Sequence, residues 1–446
     1  MKILHNVGWY FPDNVGGTEV YVNALCQALK SNQIESKIFS PIRGVDQAQN
    51  YLYNQIPVYR YPIRSELTNE HIEVLEPHAG FEHFCEAVKK ESCDVYHQHS
   101  ITFGCGLYHL KYMKELGVKT VLTIHLVDWV CLRGTMMHYG KTTCSGEIDV
   151  NKCSSCWLHS RGAPPIVNFM NSLTPQAVSR MAWHWKKRSL IRSILSTKAF
   201  TEWHKKRFEA TINYCDKVVV VADWMESVLV RNGVPKNKIV VSRIGMDAEN
   251  ENYESQKDTY VPPSDTLRMA YIGRWHRVKG IEMLVHVLRS LPSHLKYQLT
   301  MYCIDPQNDE AKAYKTKIQK MIAQESRIKI ERSLQHHEVP STLKQYDAVV
   351  VPSICLEMGP YSALESLAVG VPVIGSNLGG IREVVSHDET GYLVNKTTDA
   401  EWKKVFLNLL SHPEKIQRWK DCLQGRQVRS MKTVADEMQR VYQELV

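Results

Sequence analysis

Long apolar stretches are absent from this sequence of 446 residues, because no uninterrupted run approaches the ~18–20 residues that a membrane-spanning helix needs. Cysteine is also sparse. Twelve thiols in a chain of this length are too few for a disulfide scaffold, and we expect most of them to be buried or free. There is neither an internal repeat nor a low-complexity tract. With 43% hydrophobic and 23% charged residues, the composition excludes a disordered or fibrous chain and predicts a globular one.

A signal-peptide core is lacking as well, because the first residues reach Trp9, Pro12 and Asp13 too early. We therefore expect the chain to begin inside its fold and the protein to be cytoplasmic. At roughly 100–200 residues per domain, the length predicts two large domains or three small ones.

The net charge of +8 is concentrated in one short segment, residues 180–207, where nine basic side chains accompany the single acid Glu202. Leu190, Ile194 and Trp203 recur there with the spacing of one helix face. This pattern predicts a basic amphipathic helix that lies on an anionic membrane surface, on the cytoplasmic side. The alternative is a solvated helix face with its aromatic residues in the core. Nucleic acid is not expected as a partner, because the rest of the chain has no nucleic-acid signature. The nine basic residues are Arg180, Lys186, Lys187, Arg188, Arg192, Lys198, Lys205, Lys206 and Arg207.

Strand and helix patterns alternate twice along the chain, and such alternation predicts parallel sheets with helices on both faces. In the first half we expect strands at 2–7, 36–40, 94–97, 119–124 and 217–222, with helices at 18–30 and 224–232. In the second half we expect strands at 267–273, 297–303, 327–331, 347–351 and 371–375, with helices at 280–290, 310–324, 338–345 and 361–369.

The two alternations predict an α/β protein with two Rossmann-like domains. The polar segment 247–265, which contains Pro262 and Pro263, is the predicted linker. We expect an N-terminal domain over residues 1–250, a C-terminal domain over residues 262–429, and a final helix over residues 430–446.

Two turns between a predicted strand and a predicted helix carry residues suited to phosphate. Gly16 and Gly17 would let backbone amides approach a phosphate at a helix N-terminus, although a tight structural turn explains them equally well. Arg274 and Lys279 lie five residues apart. Arg would form a two-pronged contact with a diphosphate and Lys a point charge, and the alternative is an exposed basic turn.

The most specific motif surrounds two acids that lie eight residues apart, Glu357 and Glu365. Pro352 and Ser353 follow an apolar strand, and Pro360 suits the first turn of a helix. Glu357 is therefore predicted in the loop before that helix and Glu365 on the helix itself. Two acids around a helix N-terminus can hold the hydroxyl groups of a ribose and a sugar, while the amides there hold phosphate.

These pieces resemble the family 4 retaining glycosyltransferases of the GT-B fold. The matching blocks are Gly-Gly-Thr-Glu at 16–19, Thr-Ile-His at 123–125, Gly-Met-Asp at 245–247, Gly-Arg to Lys-Gly at 273–280, Pro-Ser to Glu-x7-Glu at 352–365 and Gly-Val-Pro-Val-Ile at 370–374. The resemblance spans nearly the whole chain. It implies two Rossmann-like domains that face a central cleft, a last helix that crosses back to the N-terminal domain, and a nucleotide-diphosphate-sugar donor held mainly by the C-terminal domain.

The resemblance also implies roles for individual residues. Arg274 and Lys279 should stabilise the diphosphate leaving group, Glu357 should lie by the donor sugar, and Glu365 should hold the ribose hydroxyls. His125 should lie close to the transferred sugar. Backbone contacts with the donor are implied for Gly16, Gly17, Gly359, Pro360, Tyr361 and Ser362, and recognition of the base for the backbone around Ser333.

We therefore expect a retaining hexosyltransferase that moves a sugar from a UDP- or GDP-sugar to a glycan or lipid-linked acceptor, in bacterial surface polysaccharide synthesis. Retention by same-face attack needs no covalent nucleophile, and no metal is obligatory because Arg, Lys and a helix N-terminus carry the phosphate charge. The alternatives are a GT-B nucleotide-sugar epimerase and a non-catalytic sugar-nucleotide-binding protein. The complete Glu-x7-Glu block disfavours the first, and the full set of charged residues disfavours the second.

Four cysteines, Cys131, Cys144, Cys153 and Cys156, lie within 26 residues of each other. Only the last pair has the C-x2-C spacing of zinc sites, and the other gaps are not those of a standard finger. Two interpretations stay open, a structural zinc site and a set of buried or free thiols. His97 and His99, at the end of a predicted strand, leave open an acceptor contact or a structural role.

Overall fold

The computed structural model describes residues 1–13, 16–63, 77–102, 104–185, 189–246, 265–306 and 308–446. They form two compact units, Met1–Ile244 with Met431–Val446, and Gly245–Ser430. Of the predicted linker, residues 247–264 lie outside the described residues, as do Lys186, Lys187 and Arg188.

The N-terminal unit is built on a sheet to which eight strands contribute among its described residues. They are β1 (Lys2–Asn6), β2 (Glu35–Arg43), β3 (Gln49–Tyr53), β4 (Ile56–Ile63), β5 (Val95–Gln98), β6 (Lys119–Ile124), β9 (Lys217–Val220) and β10 (Ile239–Val241), while β7 (Met137–His138) and β8 (Thr142–Thr143) form a separate hairpin. The order is β10-β9-β6-β5-β1-β2-β4-β3, and the pairs are parallel except for the antiparallel β3–β4 pair.

The helices of this unit include α1, which begins directly after Gly16 and buries Tyr21, Val22 and Leu25 against the sheet side of the unit. Between β6 and β9 the sequence predicted only the amphipathic helix within residues 180–207, because the helices that precede it are short. The helices before the second unit are α1 (Gly17–Ser31), α2 (Phe81–Lys90), α3 (Leu107–Glu115), α4 (Val150–Ser160), α5 (Pro165–Leu173), α6 (Gln176–Trp183), α7 (Leu190–Leu195), α8 (Thr197–Asn213) and α9 (Asp223–Arg231).

The prediction of one continuous amphipathic helix through residues 190–203 is wrong in one respect. Helix α7 ends at Leu195 and α8 begins at Thr197, and Ser196 lies between them. Ala199, after this break, is buried at 7% exposure, whereas Leu190, before it, is 76% exposed. The spacing of apolar residues continued across Ser196, which hid the break between two helices.

The second unit contains a six-stranded sheet in its described part, with the order β13-β12-β11-β14-β15-β16 and only parallel pairs. Its strands are β11 (Leu267–Arg274), β12 (Tyr297–Ile304), β13 (Ile328–Glu331), β14 (Ala348–Val351), β15 (Val373–Ser376) and β16 (Gly391–Val394). Its helices are α10 (Ile281–Arg289), α11 (Asp309–Ile322), α12 (Val339–Leu343), α13 (Tyr361–Ala368), α14 (Ile381–Val384), α15 (Asp399–Ser411) and α16 (Glu414–Leu423). All five strands predicted for this half are confirmed, with ends within a few residues.

The last helix, α17 (Met431–Gln443), belongs to the N-terminal unit. It packs on α1, and the side-chain amide of Asn32 donates to Asp436 over 2.8 Å. Tyr442 is fully buried, and its hydroxyl lies 2.6 Å from Nδ1 of His97 on β5. The chain therefore returns to its first unit after the second is complete. Among the described residues, no helix is both long and apolar enough to cross a bilayer.

Candidate active site

The loop after β11 is fixed to the loop after β14 by a glycine. Gly280 begins α10 with a φ of +72°, and a Cβ atom at this position would lie 1.9 Å from the carbonyl oxygen of Pro352. No larger residue fits without moving the backbone. The amide of Ile354 donates to the carbonyl of Val278 over 2.8 Å, which makes a second link between the two loops. As a result, the residue before this glycine, Lys279, is held beside the Glu-x7-Glu block.

Lys279 and Glu357 are in direct contact. The Lys279 Nζ donates to Oε1 of Glu357 over 2.5 Å, and the hydroxyl of Ser353 donates to the same oxygen over 2.6 Å. Burial opposes the ionisation of Glu357, but Lys279, Ser353 and the more distant charge of Arg274 together hold its pKa below the usual value. Glu357 is therefore a carboxylate at neutral pH with a fixed position. The sequence named Ser353 within the motif but gave it no role.

Two adjacent glycines, Gly379 and Gly380, pack against the backbone of Glu357. The amide of Gly380 donates to the carbonyl of Glu357 over 2.7 Å. Gly379 has a φ of +49°, and a Cβ atom there would lie 2.7 Å from both the amide nitrogen and the carbonyl oxygen of Glu357. The close approach of the two backbones requires glycine at this position, and it holds the loop between β14 and α13 in place.

Glu365 lies on α13 and is 7% exposed. Burial raises the pKa of its carboxyl group to about 7. The nearest basic group is His336, whose Nδ1 lies 3.8 Å from Oε1 of Glu365. At neutral pH this acid is therefore poised between its two forms, and hydroxyl groups that donate to it would favour the carboxylate. Pro360 precedes the helix, which has no capping side chain in the described part of the chain. The first amides of α13, which include those of Tyr361 and Ser362 after Gly359, are in the position that favours an anion.

The loop after β13 carries Ser333 and His336. Arg332 donates to the carbonyl of Ser333 over 3.1 Å and pairs with Glu338, whose other contact is the amide of Gln335 at 2.7 Å. These bonds fix the turn that carries His336 to Glu365. In the second unit, Lys279 thus contacts Glu357, and His336 of the Ser333 loop lies beside Glu365. Arg274, at the end of β11, lies close enough to affect Glu357 electrostatically.

His125, Gly16 and Gly17 belong to the N-terminal unit, where α1 connects them. Helix α1 begins at Gly17, and one turn later the ring of Tyr21 packs edge-on against His125, with ring centroids 4.7 Å apart. Burial lowers the pKa of His125 to about 3. His125 is therefore neutral at physiological pH, so it can donate or accept a hydrogen bond but does not contribute a positive charge.

A buried histidine cluster continues from His125 into the sheet. Nε2 of His125 lies 3.4 Å from Nδ1 of His99, whose Nε2 lies 3.0 Å from Nδ1 of His5. His97 contacts Tyr442 at 2.6 Å and the hydroxyl of Thr123 at 2.7 Å. His97 and His99 are at most 1% exposed, which favours the structural role that the sequence left open. The sequence could have indicated His5 as an unusual residue, because it is a polar residue within an apolar strand.

In the described part of the chain, one group of three potential metal ligands has ligand atoms that all lie within 4.8 Å of one another. It consists of His5, His97 and His99. However, both ring nitrogens of each already have a hydrogen-bond partner, including Ser36 at 3.3 Å from Nε2 of His5. The cluster is therefore satisfied without a cation.

The N-terminal unit also contains an open cavity of about 540 Å³ that the sequence did not reveal. It lies at the carboxyl ends of β1, β2 and β4, where α/β sheets commonly bind ligands. Within it, Arg60 pairs with Asp13 over 3.0 Å and donates to the carbonyl of Pro41 over 3.2 Å. The lining residues are Gly8, Trp9, Asp13, Pro41, Ile42, Arg43, Arg60, Ile63, Ile101, Thr102, Gly104 and Asp128. They come from five separate segments, so no local pattern predicted them.

Family models match both halves of the chain. The model described as Glycosyltransferase Family 4 matches residues 15–142, and the model described as Glycosyl transferases group 1 matches residues 252–423. The chain belongs to the family 4 glycosyltransferases.

Curated relatives of this family 4 glycosyltransferase act in exopolysaccharide synthesis according to their names. The putative colanic acid biosynthesis glycosyltransferase WcaL of Salmonella typhimurium is 25% identical over 209 residues, which are 45% of this chain and 49% of the relative. The amylovoran biosynthesis glycosyltransferase AmsK of Erwinia amylovora is 25% identical over 228 residues, 49% of this chain and 53% of the relative. The chain thus spans about half the length of the curated relatives it matches.

Solved structures confirm the predicted fold class. Sucrose-phosphate synthase from Thermosynechococcus elongatus superposes with a TM-score of 0.65 at 18% identity, covering 100% of this chain and 99% of that one. Anabaena Alr3699/HepE in complex with UDP superposes with a TM-score of 0.63 at 14% identity, covering 100% of each chain. Both are GT-B proteins, and this family 4 glycosyltransferase has the same GT-B architecture of two Rossmann-like domains.

Proposed function

We propose that this protein is a retaining glycosyltransferase that moves a sugar from a nucleotide-diphosphate sugar to a glycan or lipid-linked acceptor. The observation that carries the proposal is the contact between Lys279, Glu357 and Ser353, next to the N-terminus of α13. A sugar-nucleotide-binding protein without activity would not need a cation that is fixed by a buried carboxylate. An epimerase is not favoured by any feature of the site.

In the proposed reaction, Lys279, Arg274 and the first amides of α13 stabilise the negative charge that develops on the diphosphate as the bond to the anomeric carbon breaks. Glu365 accepts hydrogen bonds from the ribose hydroxyls. Retention follows if the acceptor oxygen bonds to the anomeric carbon on the face from which the diphosphate departs. The acceptor's hydroxyl proton then passes to the leaving phosphate oxygen, so no covalent enzyme intermediate forms.

The donor and acceptor classes rest on similarity. Anabaena HepE was solved with UDP and with UDP-glucose, which supports a UDP-sugar as the first donor to examine, before a GDP-sugar. The names of WcaL and AmsK support a growing surface polysaccharide or its lipid-linked precursor as the acceptor. The 540 Å³ cavity of the N-terminal unit, with Trp9 and Arg43 in its lining, is the site we propose for acceptor sugars.

A donor panel tests the activity directly. Purified protein is incubated with UDP- and GDP-sugars and with lipid-linked saccharide acceptors, and release of the nucleoside diphosphate is measured. We expect release from one donor class, with a product that keeps the donor's anomeric configuration by NMR. An inverted product would contradict retention. Conversion of a sugar nucleotide to its epimer without an acceptor would establish the epimerase instead, and binding without turnover of any donor would support the non-catalytic alternative.

We further propose that the protein binds the cytoplasmic face of the membrane through an apolar surface formed by α5, α6 and the start of α7. Nine of the sixteen large hydrophobic residues that are exposed in the described part of the chain lie between residues 166 and 191. They are Ile166, Phe169, Met170, Leu173, Val178, Met181, Trp185, Leu190 and Ile191. Such a concentration of exposed apolar side chains in one segment favours an interaction site.

The basic residues of this segment contribute less to that surface than the sequence predicted. Lys198 is 6% exposed, and its Nζ donates to the carbonyls of Ser172 and Thr174 at 3.0 and 2.8 Å. Arg180 pairs with Glu202, and Arg192 donates to the carbonyl of Trp183 over 2.7 Å. Much of the charge therefore joins the helices to each other, and apolar side chains form the exposed surface.

A triple variant, Phe169→Ser, Leu173→Ser and Met181→Ser, is expected to reduce sedimentation with phosphatidylethanolamine–phosphatidylglycerol vesicles by at least about tenfold, since each buried apolar side chain contributes roughly 1.5–3 kcal/mol. The matched control is Leu52→Ser, because Leu52 is 70% exposed on β3, away from these helices. Binding by apolar contact should change little between about 0.1 and about 0.5 M salt, although the Debye length falls over this range from about 10 Å to roughly 4 Å. Unchanged sedimentation of the triple variant would exclude this surface.

A further inference from the structure

The four cysteines that the sequence singled out surround one small cavity in the N-terminal unit. Cys131 follows a short 3-10 turn, Cys144 follows the β7–β8 hairpin, and Cys153 and Cys156 lie on α4. All four line a cavity of about 20 Å³, which is room for one species of about the size of a water molecule. All four thiols are free.

The polypeptide around this cavity has little regular structure to hold it. Between Cys131 and α4 the backbone forms two strands of two residues each. It takes a left-handed conformation at Met136 and Tyr139, where a side chain is disfavoured, and at three glycines, Gly134, Gly140 and Gly146. Arg231 and Asn232 tie this loop to the rest of the unit by donating to the carbonyls of Ser145 and Gly146, each over 2.9 Å. A metal ion at the four thiols would add a further link across the loop.

Sulfur ligands in this arrangement are suited to a thiophilic ion. Cys153 and Cys156 are three residues apart, so they lie on one face of α4. The backbone amide of Tyr139 donates to Sγ of Cys156 over 3.3 Å, and this contact favours a negative sulfur. Arg133 and Lys152 also line the cavity, and their charges offset part of the charge of four thiolates.

We propose that Cys131, Cys144, Cys153 and Cys156 bind one structural zinc ion as four thiolates. Zinc favours tetrahedral coordination by sulfur at about 2.3 Å. Binding releases four thiol protons and leaves a centre with a net charge of −2. Although the structure describes all four residues, no three of their sulfurs lie within 4.8 Å of one another, so binding must draw the loop inward around the ion. The proposal is independent of the glycosyltransferase activity, because it concerns the order of residues 131–156.

Metal content and thiol reactivity test the proposal on the full chain purified without chelators. We expect one zinc per chain by plasma mass spectrometry. Titration with a mercurial reagent should release that zinc as four thiols react. Replacement by Co²⁺ should give the absorption of tetrahedral cobalt thiolate. Cys144→Ser should lose the zinc, whereas Cys422→Ser should keep it, because Cys422 is an exposed thiol on α16.

The wild-type measurements keep the proposal falsifiable even if Cys144→Ser fails to fold. Absence of metal from a folded chain with reactive thiols would overturn it, and so would two disulfides found by mass spectrometry. Iron in place of zinc would reject the zinc assignment. Zinc that is retained after mercurial modification of these four cysteines would locate the ion elsewhere in the chain.

Discussion

A Lys279→Met variant is expected to turn over the donor about 10²–10³-fold more slowly than the wild-type protein, because it loses a preorganised charge at the group that becomes negative in the transition state. The loss should fall mainly on kcat, since Lys279 is fixed by Glu357 before the donor binds and its interaction strengthens as the diphosphate departs. The measurement is steady-state release of the nucleoside diphosphate over a range of donor concentrations, with kcat and KM determined separately.

Two variants separate this effect from a loss of folding. Lys279→Arg keeps the charge and should recover part of the rate, while Lys296→Met removes a lysine whose side chain is 64% exposed and should leave the rate unchanged. Loss of Lys279 also removes a cation from the buried Glu357 carboxylate, which keeps the hydrogen bond from Ser353, so circular dichroism must show that the variant is folded. A kcat for Lys279→Met within threefold of wild type would refute the assignment of Lys279 to the leaving group.

The second half of the fold could be predicted from sequence because its strands are buried on both faces and read as continuous apolar runs. The predicted strand 267–273 corresponds to Leu267–Arg274, and the predicted strand 347–351 to Ala348–Val351. The β3–β4 pair was missed because Gln49–Tyr53 is a mostly exposed edge strand with little apolar signal. The helices of residues 150–183 were missed for the related reason that several of them keep large apolar residues exposed.

The candidate site was predictable where its parts lie close together in sequence. The contact between Ser353 and Glu357 spans four residues, and Glu365 follows on the next helix. The hydrogen bond between His97 and Tyr442 joins residues 345 positions apart, and only the return of α17 to the first unit brings them together. Spacing alone gave no reason to pair such residues.

The Glu365→Gln variant is expected to be more stable than wild type at pH 8 and to bind nucleotide less tightly. Burial raises the pKa of Glu365 from an ordinary value of 4.5 to about 7. The native state therefore holds this proton more strongly than the unfolded state does. Ionisation then costs stability as the pH rises above 4.5, and the full cost, up to about 3 kcal/mol, is reached above pH 7. Glutamine carries no charge, so it avoids this cost.

Nucleotide binding should respond in the opposite sense, because ribose hydroxyls donate to the carboxylate and stabilise its charge. Removing a charged acceptor costs about 1.5–3 kcal/mol, or roughly 10- to 150-fold in affinity. Isothermal titration calorimetry with UDP and GDP at pH 6 and pH 8 should show tighter binding by wild type at the higher pH, where the free enzyme already carries the carboxylate. Glu365→Gln should lose this dependence on pH.

Urea unfolding at pH 5 and pH 8 completes the test of Glu365, with Glu331→Gln as the matched control because Glu331 is an exposed acid at the end of β13. The stabilising effect of Glu365→Gln should be large at pH 8 and small at pH 5, where wild-type Glu365 is already protonated, while Glu331→Gln should have little effect at either pH. Equal effects of Glu365→Gln at both pH values would show that the stability change arises from packing and not from charge. If affinity for both nucleotides stays at the wild-type level, Glu365 does not hold the ribose. The combination of a stabilised protein and a weakened ligand complex is what we expect of a carboxylate that is buried for binding and not for folding.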